Sequence, residues 1–95
     1  MPISSIGDKL RTLREERKLT LRHIATAVKV DVAILSKMER GERKLTKEIV
    51  QKLAKLYKYN VEELLVLYLS EKVMYEIGDE SLALKALQVA EDRIE

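Results

Sequence analysis

Apolar residues recur along the chain at the three- and four-residue spacing of helices. Ile6, Leu10 and Leu13 mark a first helix, which Ser4 or Ser5 can cap and which fades near Arg17 and Lys18. Thr20 is placed to cap a short second helix, with Leu21, Ile24, Ala25 and Val28 at i, i+3, i+4 and i+7. Lys29 and Val30 make the turn that follows. Asp31 caps a third helix in which Leu35 and Met38 face inward, and Gly41 supplies the positive φ that ends it. After a basic loop, Glu42 to Leu45, Thr46 caps a fourth helix whose Val50, Leu53, Ala54 and Tyr57 repeat the apolar stripe and close a small core. Asn60, with Glu63 three residues later, forms a capping-box-like start to a fifth helix that runs to Gly78. Asp79 caps a sixth, with Ala83, Leu87, Ala90 and Ile94 along one face and a frayed last turn.

Six helices and no alternating segment predict an all-α fold. The composition agrees, because one Pro and three Gly in 95 residues leave few helix breakers. That length suits one compact body with a modest core. Without cysteine there is no disulfide framework and no thiolate metal site. No apolar run approaches the ~20 residues that span a membrane, and the N-terminus lacks a signal-peptide pattern, so the expectation is a soluble, cytoplasmic protein. Charge divides the chain unevenly. Residues 1–60 carry 15 Lys and Arg against 7 Asp and Glu, whereas residues 61–95 carry 3 against 9. A polyanion partner suits the first part, and the second is a poor DNA surface.

Val32, Ala33 and Ile34 place three apolar residues in the first turn of the third helix, beside a basic loop. Two short helices joined by a tight turn, the second with a polar and basic edge, fit a helix-turn-helix. Residues 6–65 resemble the Xre/Cro-type, lambda repressor-like DNA-binding domain. The resemblance is carried by "IGDKLRTLREERKLTLRHIA", "VDVAILSKMERGER" and "VQKLAKLYKYNVEELL", and most specifically by the Leu-Thr before the second helix and the Ser-x-Met-Glu-Arg-Gly that ends the third. It implies a compact five-helix domain over residues 1–65, here with the fifth helix lengthened and a sixth added as a helical extension over residues 66–95, packed on the domain and serving dimerisation.

Carried over position by position, the resemblance puts base contacts in the major groove on Val32, Ala33, Ser36 and Lys37. Short apolar side chains can pack on thymine methyl groups, and Lys37 can donate to guanine O6 and N7. Ile34 stands beside them and equally fits the core. Arg40, Arg43 and Lys44 fall where family members touch phosphates, positioning the domain without reading sequence. Arg14 and Glu39 match a largely buried ion pair between the first and third helices and are read as structural. Where the family usually has Gln at the first position of the second helix, this chain has Leu21. The phosphate clamp made by that Gln is thus expected to pass to Arg22, His23 or the free amides of the helix N-terminus. His23, the only histidine, has no partner for a catalytic or metal role, and otherwise reads as a plain surface residue.

The fifth helix is apolar on two sides. Val61, Leu64, Leu65 and Tyr68 lie on the face that finishes the domain core, while Val66, Leu69, Val73 and Ile77 make a second face. With Leu87 of the sixth helix, that second face is the expected homodimer interface; the other reading has the sixth helix fold back over it within one subunit. The function expected is a sequence-specific transcriptional regulator, a repressor or autoregulator binding a palindromic operator on double-stranded DNA. The competing reading is an antitoxin-like or adaptor module whose C-terminal helices hold another protein. An enzyme is not expected, since no Gly-rich phosphate loop and no catalytic constellation is present, and neither a cofactor, a metal nor a small-molecule ligand is called for.

Overall fold

The computed structural model of the chain describes residues 5–94. Six helices follow one another: α1 (Ile6–Glu16), α2 (Leu21–Val28), α3 (Val32–Glu39), α4 (Lys47–Leu56), α5 (Val61–Ile77) and α6 (Ala83–Arg93), with no strand among the described residues. The first five begin as the sequence predicts, each at a side chain whose oxygen accepts an otherwise unpaired N–H of the first turn. Ser5 accepts from Asp8, Thr20 from His23, Asp31 from Ala33, Thr46 from Ile49 and Asn60 from Glu63, all within 2.8–3.2 Å. Ser4, the other cap considered for α1, lies outside the described residues.

Helix ends are equally uniform. After α1, α2, α3 and α4, one residue turns left-handed and the next N–H reaches back five residues: Leu19 to Arg14, Val30 to Ala25, Glu42 to Lys37 and Tyr59 to Ala54, at 2.8–3.1 Å. Gly41, at φ 78°, is the one glycine among those four positions; the others are Lys18, Lys29 and Lys58, at φ 53–59°. A lysine in that region costs more than a glycine. The recurrent back-bond and the packing of the flanking helices hold it there.

The core is one cluster gathered from α1 to α5, with Ile24, Leu35, Val50, Leu53, Tyr57 and Leu64 almost wholly buried at its centre. α1 packs on α3 and α5, α2 on α3 and α4, and α4 on α5. Gly7 sits at the α1–α3 crossing, where a Cβ would land on the carbonyl oxygen of Glu39 and within 2.9 Å of that of Met38. Only the absence of a side chain lets the helices approach so closely. The crossing is then fastened by an ion pair. Arg14 Nε donates to Glu39 Oε2 at 2.9 Å and Nη2 to Oε1 at 3.1 Å, with the side chains only 12% and 5% exposed. Arg14 also donates to the Leu19 carbonyl at 2.9 Å, and its hydrogen bond to Glu39 raises its pKa further above the ordinary value.

The start of α6 corrects the expectation from sequence. Asp79 does not cap it: the helix begins four residues later, at Ala83, after Leu82, which offers no capping side chain. Gly78 remains in right-handed helical conformation, and turns closed by Glu80 N–H to Ile77 and Ala83 N–H to Glu80 carry the chain across. Leu82, the residue before the helix, is at φ −102° and ψ 16°, outside the extended conformation of the other helix starts. No residue of α6 is buried.

Candidate DNA-recognition surface

α2 and α3 are joined by a three-residue turn, Lys29 to Asp31, made possible by the left-handed Lys29. Their inner sides, Ile24, Ala25 and Val28 of α2 and Leu35, Met38 and Glu39 of α3, are buried, so the pair is fixed on the body as a unit. What α3 leaves outside follows from its period. Ala33, Lys37 and Arg40 are exposed at i, i+4 and i+7 and form one outward stripe, with Ser36 half-buried at its edge. Val32 and Ile34 are half-buried and pack partly against the core. Both therefore serve the body with part of their surface and leave the rest at the rim of the stripe.

Asp31 Oδ1 accepts from the Ala33 N–H at 2.8 Å, which sets the angle at which the first turn of α3 leaves the turn before it. In α2, Arg22 and His23 are exposed in the first turn, beside the Thr20 cap. Leu21, in place of the family's polar residue, is half-buried and packed against the core. Arg43 and Lys44 are exposed in the loop after α3. Lys44 is not loose there: its Nζ stands 4.5 Å above the centre of the Tyr75 ring of α5. The loop and the second half of α5 thus face each other across an open groove of about 760 Å³.

Arg40, expected among the phosphate contacts, is engaged within the protein. It donates to Ser36 Oγ and, through two nitrogens, to both carboxylate oxygens of Glu42. The carboxyl of Glu42 is held below the usual carboxylate range, first by the hydrogen bond from Arg40 and then by its charge.

Several supports were not legible in the sequence. Glu71 of α5 accepts the Ile6 N–H at 2.9 Å and so finishes the start of α1, 65 residues away. Arg17 donates to the Tyr57 carbonyl at 2.7 Å and to that of Leu13 at 3.0 Å, joining the end of α1 to the end of α4. Long-range pairs of this kind leave no periodic trace. On the far side of α5, Val66, Leu69 and Val73 are exposed and Ile77 half-buried, and Leu87 of α6 is exposed as well. Among the described residues no group of three or more His, Asp or Glu is placed to hold a metal, and no helix is long and apolar enough to cross a membrane.

A family model described as helix-turn-helix matches residues 10–64. The chain belongs to the lambda repressor-like helix-turn-helix family. It is similar to the HTH-type transcriptional repressor RghR of Bacillus subtilis, 42% identical over 64 residues that make up 66% of this chain and 47% of that protein. The HTH-type transcriptional regulator DdrOP3 of Deinococcus deserti is 43% identical over 58 residues, 61% of this chain and 45% of that protein. The chain thus spans about half the length of these relatives. Both relatives and the family are transcriptional regulators rather than enzymes. Among solved structures, the clp gene regulator ClgR from C. glutamicum superposes with a TM-score of 0.61 at 26% identity, over 75% of this chain and 95% of that one. A hypothetical protein from E. coli reaches 0.70 at 25% identity, over 99% of this chain and 92% of that one. The latter match runs beyond the helix-turn-helix body and takes in α5 and α6.

Proposed function

We propose that this chain is a sequence-specific repressor, or autoregulator, that binds a two-fold symmetric operator as a homodimer, with α3 in the major groove. The observation that carries the reading is the outward stripe of α3, Ala33 and Lys37 beside Ser36, on a helix locked to the body by the Arg14–Glu39 pair and followed by a loop bearing Arg43 and Lys44. A reading helix must be rigid in its seat and free on its outer face, and α3 is both. Lys37 donates to guanine, while Ala33 and the outer part of Val32 meet thymine methyl groups. Arg43 and Lys44, with Arg22 and His23 at the start of α2, hold phosphates and set the register.

The exposed apolar residues Val66, Leu69 and Val73 of α5, with Ile77 and with Leu87 of α6, suit a second copy of the chain. Residues 66–95 then act as the dimerisation element, and two copies of α3 spaced about one turn of B-DNA apart, ~34 Å, grip the two half-sites. The acidic balance of residues 61–95 keeps this end away from the phosphates.

The test is a fluorescence-anisotropy titration against the DNA upstream of the chain's own coding region and against a scrambled duplex, at two salt concentrations. Lys37→Ala should erase the preference between the duplexes. Arg43→Ala should weaken both alike and reduce the salt slope by ~1, the share of a single phosphate. Sedimentation of the wild type and of Leu69→Glu reads the dimer. Equal, salt-insensitive binding of both duplexes, unchanged by either substitution, would reject the reading and direct attention to a different protein docking on α5 and α6.

A further inference from the structure

Arg40 divides its guanidinium between two neighbours. Nη1 donates to Ser36 Oγ at 2.8 Å, while Nε and Nη2 donate to the two oxygens of Glu42 at 2.9 and 3.3 Å. This fork on a carboxylate is the same geometry with which a guanidinium grips a phosphate. Glu42 therefore stands where a phosphate would otherwise sit on Arg40. It also sets a negative charge directly before Arg43 and Lys44 in an otherwise basic loop.

We propose that Glu42 is a specificity-determining residue: it withholds Arg40 from the DNA backbone and latches it onto Ser36 at the edge of the reading stripe. The proposal rests on the DNA-binding reading given above. Phosphate contacts raise affinity for every sequence alike, so keeping the guanidinium from them lowers binding to all sites equally, and the selectivity comes from the other arm of the latch, which holds Ser36 beside Lys37 at the reading stripe. The latch also holds Ser36 in place. Its oxygen accepts from Arg40, which occupies one lone pair and leaves the hydroxyl hydrogen available to a base acceptor. Both members of the ion pair are about half exposed, at 51% and 56%, so the latch is a bias that a well-placed phosphate can overcome and not a permanent lock.

The decisive measurement compares the full-length wild type with Glu42→Gln, Arg40→Gln, the double variant and Ser36→Ala. Each is titrated at several salt concentrations against a pool of random duplexes and against the duplex that the wild type selects most strongly from that pool. Thermal melting confirms that these surface variants remain folded. Glu42→Gln should bind the random pool up to about fivefold more tightly, with a salt slope steeper by ~0.9, while the selected duplex, which also loses the Ser36 held by Arg40, gains less, so that the ratio of selected to random affinity falls. In the Arg40→Gln background the same substitution should do much less. Ser36→Ala should lower the ratio without steepening the slope. The proposal is overturned if Glu42→Gln behaves as wild type, or if its effect is equally large with and without Arg40, which would make Glu42 a bare charge. A wild type that binds no duplex at all would instead remove the DNA-binding reading itself.

Discussion

Each of the five helices that start within residues 5–65 begins at a capping side chain and buries at least two residues, whereas α6 starts at Ala83 without a side-chain cap and buries none. α5 belongs to both regions. Its Leu64 and Tyr68 finish the core, while Val66 and Leu69 on its other side are 60% and 51% exposed. Helices of 8 to 11 residues, such as α1 to α4, are marginal alone in water, so the body exists because its short helices stabilise one another. α6, with 11 residues, is no longer than α1, yet among the described residues its leucines are not covered to a comparable degree. Equal helical pattern does not guarantee equal packing. The first region closes its own core, and the second leaves apolar residues of α5 and α6 exposed.

The sharpest break in that comparison should come at the α1–α3 lock. Arg14→Leu or Glu39→Leu alone leaves a charge stranded in a nearly closed site and should cost ~3–5 kcal/mol in urea unfolding, with the double substitution costing less than either single one. Should the double variant prove the least stable of the three, the pair is net stabilising and not merely a fastening for α3.

Next in size is a direct contrast between the regions. Leu53 is 1% exposed and Leu84 is 78% exposed. Truncating Leu53 to Ala should destabilise by ~2–5 kcal/mol, and Leu84→Ala should change thermal unfolding by about 0.5 kcal/mol or less. A large effect at Leu84 that grows with protein concentration would show that α6 is stabilised by a second copy through this residue as well.

The smallest expected effect lies at Tyr57, whose hydroxyl is buried without a hydrogen-bond partner. Burial, and then the charge of Glu39, push its pKa up to about 12. The folded state therefore keeps this proton where the unfolded chain, with an ordinary value near 10, has begun to lose it. Stability contributed by the protonated form is whole below pH 10 and declines as the pH rises towards 12. Tyr57→Phe should be neutral to stabilising by about 1 kcal/mol at pH 7, because it deletes an unpaired buried group. It should also flatten the alkaline fall in melting temperature between pH 10 and 12. An unaltered alkaline profile would mean that another group governs it.

Much of this molecule was readable before any coordinates. Thr20, Asp31, Thr46 and Asn60 could be named as caps because a cap is a local event, settled between a side chain and an N–H two or three residues on. The buried faces followed from the helical period, and the Ser-x-Met-Glu-Arg-Gly segment pointed to the family that the comparison then showed. The left-handed lysines escaped because only Gly41 advertises that conformation in its side chain. Asp79 misled for a related reason: a capping residue is useful only where the backbone is extended, and there the chain continues in turns. Local sequence thus determined where five helices begin, which sides they bury and which surface α3 leaves free. Only the tertiary structure decided that Gly7 must lack a side chain and that Glu71 and Arg17 tie distant helix ends. Those outcomes depend on which groups are brought within a few ångströms across the fold, and no spacing along the chain encodes that distance.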